Sequence, residues 1–194
     1  MEIKKIKKGQ RKKFFQVEVP LITSKIHLYS YALEELIDKV VKIDLTKSLR
    51  GKALELKAKV KNDNGKLVGD LLSIQLIQSY IRRMMRRGTD YVEDSFEAEC
   101  KDSKLRIKLF IITRKKVPRS IRNSIRKNAK KHIAAKIKIR NTKEIFSDTI
   151  ANKLQKELSQ KIKKTYPPAL CEIKMIQVIK KLEKKENKDT NKNE

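Results

Sequence analysis

The sequence predicts an α+β fold, because the hydrophobic period changes along the chain. A period of two, the mark of half-buried strands, runs through Phe15–Val17–Val19, Val41–Ile43–Leu45, Leu54–Leu56–Ala58–Val60 and Leu105–Ile107–Leu109–Ile111. Steps of three and four, the mark of helices, take over in Ile121–Ile125–Ala129–His132 and again from Ile145 to Ile162. A third observation concerns what the fold carries: 50 Lys and Arg against 23 Asp and Glu in 194 residues give a formal charge of +27.

Taken in order, residues 1–13 read as a basic arm. Lys4, Lys5, Lys7, Lys8, Arg11, Lys12 and Lys13 surround three apolar side chains and one acid, too little to bury. A strand from Phe14 to Val19 stops at Pro20. Residues 32–39 suit a short helix, and Val41–Leu45 a second strand. Arg50 and Lys52 lie in the loop Ser48–Lys52. The third strand, Leu54–Val60, turns at Asn64-Gly65, a strong hairpin signal, and returns over Lys66 to about Asp70. Ile74, Ile77, Ile81 and Met84 then share a helical stripe, with Arg82, Arg83, Arg86 and Arg87 mainly on other faces. Gly88 is placed to end that helix in a left-handed conformation.

Tyr91–Cys100 and Lys104–Thr113 form a second hairpin by the same alternation. Its first strand holds the one acidic patch: Asp90, Glu93, Asp94, Glu97, Glu99 and Asp102. Glu93, Glu97 and Glu99 fall opposite Phe96, Ala98 and Cys100, so a solvated face or a basic neighbour explains them better than metal catalysis does. Farther on, Asn141 and Glu144 have capping-box spacing, and the helical stripe that follows breaks near Asn152. Tyr166-Pro167-Pro168 stops the helix, Leu170–Ile179 is a last strand, and residues 181–194 are a charged, low-complexity tail expected to be disordered. No internal boundary is evident, so residues 14–180 read as a single α+β domain.

The most informative stretch runs from Arg114 to Arg140. It contains twelve Lys or Arg and no Asp or Glu. Pro118 suits the first turn of a helix, where its missing N–H costs nothing. Ile121, Ile125, Ala129, His132, Ala135 and Ile139 make one apolar stripe, and Arg119, Arg122, Arg126, Lys127 and Lys130 lie roughly opposite, preceded by Arg114, Lys115 and Lys116. A solvated basic face normally carries interspersed acids, because like charges four apart repel by about 0.2–0.5 kcal/mol per pair. The ladder Arg122–Arg126–Lys130 has none. A bound polyanion relieves it, and nucleic acid is the polyanion that a charge of this size attracts.

Other chemistry lacks a signature. The five glycines form neither a dinucleotide fingerprint nor a phosphate loop, so no cofactor is expected. His27 and His132 are the only histidines. His132 lies on an apolar stripe, as a core histidine does, and His27 has no recognisable partner. Cys100 and Cys171 sit in strand-like register and read as buried thiols of a reducing compartment. No metal spacing, nucleophile motif, signal peptide or spanning segment is found. The expectation is a soluble, cytoplasmic, non-catalytic protein without a small-molecule substrate, membrane partner or homo-oligomeric state. Aromatic-rich RNA-binding strands and a GxxG clamp are also missing, so recognition is expected to rest on phosphate and shape.

Several segments in order resemble one family. These are Lys13-Phe14-Phe15-Gln16-Val17-Glu18-Val19-Pro20, Val40-Val41-Lys42-Ile43-Asp44-Leu45, Leu105–Arg114, the basic helix Ile121-Arg122-Asn123-Ser124-Ile125-Arg126-Lys127, and Thr165-Tyr166-Pro167-Pro168 followed by Cys171-Glu172-Ile173-Lys174. The set is similar to the archaeal and eukaryotic small-subunit ribosomal protein family S-one-e, whose eukaryotic members are also called S-three-A. The likeness spreads over roughly residues 10–180. Departures are Pro168 where Leu is usual, a looser closing strand, and no Gly-Lys-Thr-like segment between Leu21 and Glu35. The resemblance implies a barrel-like mixed, mostly antiparallel sheet with basic helices packed on it, then C-terminal helices and a last strand. It also implies a place on the small-subunit platform near the messenger exit, with rRNA and neighbouring ribosomal proteins as partners. The rival readings are a chromosomal DNA-binding protein and an RNA-processing enzyme that uses the acidic patch.

Overall fold

The computed structural model describes residues 11–22, 25–49 and 51–182. The predicted arm at Lys4, Lys5, Lys7 and Lys8, the loop residue Arg50 and the tail beyond Leu182 lie outside the described residues. The chain forms two compact units that divide between Met84 and Met85, in the middle of the arginine cluster.

The first unit contains β1 (Lys13–Glu18), β2 (Ile26–Ser30), a 3-10 turn (Glu34–Leu36), β3 (Val40–Asp44), β4 (Leu54–Asp63), β5 (Lys66–Leu76) and α1 (Gln78–Met84). Its strands run in the order β2-β1-β5-β4-β3. All pairings are antiparallel except that of β1 with β5. Leu54, Leu56, Ala58 and Val60 alternate inward along β4, as predicted, and are almost wholly buried. Asn64-Gly65 makes the hairpin turn, both with positive φ, and the Asn62 side chain accepts from the Gly65 N–H.

The second unit contains β6 (Tyr91–Glu99), β7 (Ser103–Thr113), α2 (Arg119–Ile139), α3 (Thr142–Ile150), α4 (Lys153–Lys163) and β8 (Pro168–Lys181). β7 pairs antiparallel with β6 on one side and β8 on the other. α2 packs on β6, α4 packs on β8, and the two helices pack on each other. Ile125, Ile133 and Ile137 of α2, Leu158 and Ile162 of α4, and Leu105, Ile107 and Leu109 of β7 are all almost wholly buried. Asn141 donates its backbone N–H to the Glu144 carboxylate, completing the predicted capping box of α3. The break at Asn152 is a left-handed residue, φ 58, between α3 and α4. Cys100 and Cys171 are both free and buried.

The fold is therefore α+β and mostly antiparallel, with a basic helix on the sheet and two helices before a last strand. Its strands do not close into a barrel. Four local expectations change. Ile26–Ser30, unassigned in the sequence, is a strand paired with β1. The helix expected at 32–39 shrinks to one 3-10 turn: the Ser30 hydroxyl donates to the Glu35 carboxylate, and Asp38 takes φ 66 just beyond. β5 continues to Leu76, because Leu56 and Leu54 of β4 stand opposite Ile74 and Leu76 and extend the ladder. That claims the first residue of the presumed helical stripe, and α1 ends at Met84, before Gly88.

The fourth change is in α2. Its buried stripe is Ile125, Ala129, Ile133 and Ile137, whereas Ile139, expected inside, is exposed. Steps of four drift around the helix, and Ile139, two residues or about 200° beyond Ile137, falls on the side away from the buried stripe.

Gly69 of β5 shows how tightly β1 joins its sheet. A Cβ there would stand 2.7 Å from Val19 Cγ2 and 3.3 Å from Ala58 Cβ. Gly69→Ala is expected to destabilise by about 1–3 kcal/mol through overpacking. In a Val19→Ala background the same substitution is expected to cost less, and denaturant midpoints of the four-membered cycle measure the difference.

Candidate nucleic-acid interface

The basic stretch starts from a pinned loop. The backbones of Asp90 and Thr113 pair across β6 and β7, and the Asp90 carboxylate accepts the Val117 N–H at 2.9 Å. The Thr113 hydroxyl bonds within the same knot. Arg114, Lys115 and Lys116 are consequently presented as an exposed loop just before α2. Asp90, read in the sequence as part of an acidic patch, is a loop anchor.

The first turns of α2 lie over the start of β6. Arg119, Arg122, Asn123 and Arg126, with Tyr91 and Val92 of β6, line a cavity of about 250 Å³. Arg119 and Arg126 are exposed, and Arg122 is half-buried. The Arg122 Nε is buried without a hydrogen-bond partner among the described residues. A desolvated, unpaired donor is costly. A phosphate oxygen is the acceptor that three guanidinium forks suit best. The positive end of the helix dipole adds to the field there.

Charge pairing divides α2 in two. Lys136 meets Glu157 of α4 at 2.9 Å, and Arg140 pairs with Asp148 of α3 and reaches Glu157 at 3.9 Å. Arg114, Lys115 and Lys116 of the loop and Arg119, Arg122, Arg126, Lys127, Lys130, Lys131 and Lys138 of the helix form no ion pair among the described residues. Lys130 instead lies over the Phe96 ring, 5.8 Å from its centroid. The sequence shows twelve cations with no acid among them; the fold pairs Lys136 and Arg140 with acids of α3 and α4 and leaves the cluster from Arg114 to Lys130 for an outside anion.

Part of the acidic patch is spent internally. Glu93, Glu97 and Glu99 do share the exposed face of β6. Glu93 bonds Lys174 of β8 at 2.9 Å, and Glu97 bonds Lys104 at 2.9 Å and Arg106 at 3.0 Å on β7. These partners, Lys104 foremost, hold the Glu97 carboxyl below its ordinary value. Among the described residues no group of three or more His, Cys, Asp or Glu is placed to hold a metal ion.

The remaining predicted residues are spread over both units. In the first, Arg82 and Arg83 are exposed in the last turn of α1, with Arg83 over the Tyr80 ring at 5.9 Å. Arg11, Lys12 and Lys13 are exposed at and just before the start of β1. Lys52 differs, being only 8% exposed. In the second, Arg86 and Arg87 are exposed in the segment leading to β6. Tyr91 and Asn123 line the cavity but were not singled out in the sequence, because neither carries charge and only the packing of α2 on β6 brings them to it.

His132, predicted in the core, lines a groove of about 560 Å³ between α2 and α4 with Lys136, Glu157, Gln160, Lys161 and Lys164. Burial, with Lys136 next in size and Lys161 behind it, lowers its pKa from the ordinary 6.5, and Glu157 opposes only in part.

Comparison with known proteins places the chain beside one family. The model of the Ribosomal S3Ae family matches residues 2–182. The small ribosomal subunit protein eS1 of Saccharolobus islandicus strain L.S.2.15 is 25% identical over 181 residues, 89% of this chain and 87% of that protein. Its counterpart in Saccharolobus solfataricus strain P2 is 24% identical with the same coverage.

Two outcomes follow from the geometry. Each phosphate contact contributes about 0.7–0.9 to the slope of log affinity against log salt. The triple variant Arg119→Gln, Arg122→Gln, Arg126→Gln is therefore expected to flatten that slope for RNA by roughly two to three, and Lys136→Gln, already neutralised by Glu157, to leave it unchanged. Filter binding over a salt series measures both. For His132, the folded state favours the neutral ring, so the unfolded chain binds the proton more readily. Stability is expected to be full above pH 6.5 and to fall as the pH drops from there toward the lowered folded value. Urea midpoints against pH should lose this segment in His132→Gln.

Proposed function

The chain belongs to the Ribosomal S3Ae family, and from that premise we propose that it is a structural constituent of the small ribosomal subunit that holds folded rRNA by phosphate contacts. The observation that carries the reading is the divided α2. Lys136 near its C-terminal end and Arg140 just beyond it are paired within the fold, whereas Arg119, Arg122 and Arg126 converge on a cavity beside an exposed basic loop and form no ion pair among the described residues.

The mechanism is counterion release. Each Lys or Arg that replaces a condensed cation on a phosphate gains the entropy of that ion. A formal charge of +27 makes self-repulsion part of the free protein's energy, and seating it on a polyanion removes that term. On this reading the role is structural, and Glu93 and Glu97 serve as ion-pair partners within the sheet. No described helix is long and apolar enough to cross a membrane.

The family resemblance supports a finer placement: the platform near the messenger exit, with rRNA and neighbouring ribosomal proteins as partners, in the cytoplasm on the ribosome. On that placement the protein supports subunit assembly and translation.

A native lysate sedimented through sucrose with Mg²⁺, each fraction probed for this chain, tests the proposal. Co-migration with the small subunit that survives moderate salt is expected. Recovery at the top of the gradient, or with DNA, would sink it.

A further inference from the structure

The hairpin of β1 and β2 carries two aromatic rings on its outside. Phe14 stands opposite Tyr29 in the antiparallel register. Their centroids are 4.8 Å apart and their planes tilted by 39°. Phe14 is 71% exposed and Tyr29 56% exposed. The next pair on the same face, two residues along each strand, is Gln16 opposite His27, and both are exposed. The inner face carries Val17, which is buried. The strand alternation that buries Val17 thus puts two aromatics, an amide and an imidazole together in solvent.

Cations border this face. Lys12 Nζ lies 5.5 Å from the centroid of Tyr29 and 5.1 Å from that of Tyr31. Arg11 and Lys13 flank it, both exposed. Ring faces beside mobile cations on a sheet surface are the parts from which single-strand binding sites are made: rings stack on bases, cations follow the phosphates, and every base offers a face to stack. A protein partner suits the patch less well, because the cores of protein interfaces are poor in lysine, and here a lysine sits against the rings.

We propose that the exposed face of the β1–β2 hairpin is a stacking platform for unpaired nucleotides of single-stranded RNA. A base lies on the Phe14–Tyr29 pair. Arg11, Lys12 and Lys13 take the flanking phosphates. Gln16 and His27 stand where they can hydrogen-bond the edge of a neighbouring base. The inference rests on the rRNA-binding reading and adds to it a second mode of contact, with bases as well as with phosphates.

Fluorescence anisotropy of the full chain tests it, with a short labelled oligouridylate and a short labelled RNA duplex at one moderate salt concentration. Stacking on an aromatic side chain is worth roughly five- to a hundred-fold in affinity per base. The double variant Phe14→Ala, Tyr29→Ala is expected to lose about ten-fold or more on the single strand and nothing on the duplex, and Phe14→Tyr to retain wild-type binding. The unchanged duplex affinity also shows that the variant is folded. Equal losses on both probes, or no loss on the single strand because the face binds a protein instead, would overturn the platform. If the wild-type chain binds neither probe, the rRNA reading fails with it. If it binds the duplex with a steep salt dependence and the single strand no better in wild type than in the double variant, only the platform fails.

Discussion

The stripe Ile125–Ala129–Ile133–Ile137 anchors the second unit, since it is the buried face of α2, which packs on both β6 and α4. The stripe is narrow, one side chain per turn, so most of the helix circumference stays in water and can be cationic. It also drifts around the helix as it climbs. That drift sets which cations meet α3 and α4 and which look outward over β6. Which cations are neutralised is therefore a consequence of packing: Lys136 meets Glu157, whereas Arg119, Arg122 and Arg126 are unpaired among the described residues.

Electrostatics in the second unit follow the same division of space. Acids stand where they meet basic residues of neighbouring elements: Glu93 with Lys174, Glu97 with Lys104 and Arg106, Glu157 with Lys136, Asp148 with Arg140. Such exposed or partly exposed pairs are screened by solvent and add little to stability. Their consequence lies more in where they leave charge than in stability. By tying up acids on the outer face of the sheet and at the ends of the C-terminal helices, they keep the Arg119–Arg126 surface free of carboxylates that would compete with phosphate.

The first unit solves a different problem. Its long hairpin of β4 and β5 buries one face, and β1 joins it by a parallel pairing made close by Gly69. The outer strand β2 has its exposed face occupied by Tyr29 and His27 rather than by lysines. Exposed rings on such a strand are an aggregation hazard in a free protein and an asset on a nucleic acid, which is consistent with a chain built to work on a polyanion.

How much of this was legible depends on the range of the interaction concerned. Strands β1, β3, β4, β6, β7 and β8, helix α2, the Asn64-Gly65 turn and the Asn141–Glu144 cap could be read because period, turn chemistry and capping are encoded within a few residues. The Ile26–Ser30 strand could not, since five residues with two aliphatic side chains make no pattern until β1 supplies the hydrogen bonds. Ile74 was read as helical because a short apolar run fits either period, and only the ladder opposite Leu56 decides. The sequence by itself determined that the chain is basic, α+β and suited to a polyanion, because charge and periodicity are additive properties of residues. Tertiary structure alone decided which cations are free, that Tyr91 and Asn123 join Arg119, Arg122 and Arg126, and that Phe14 meets Tyr29, because pairing depends on which distant side chains the packing brings within reach.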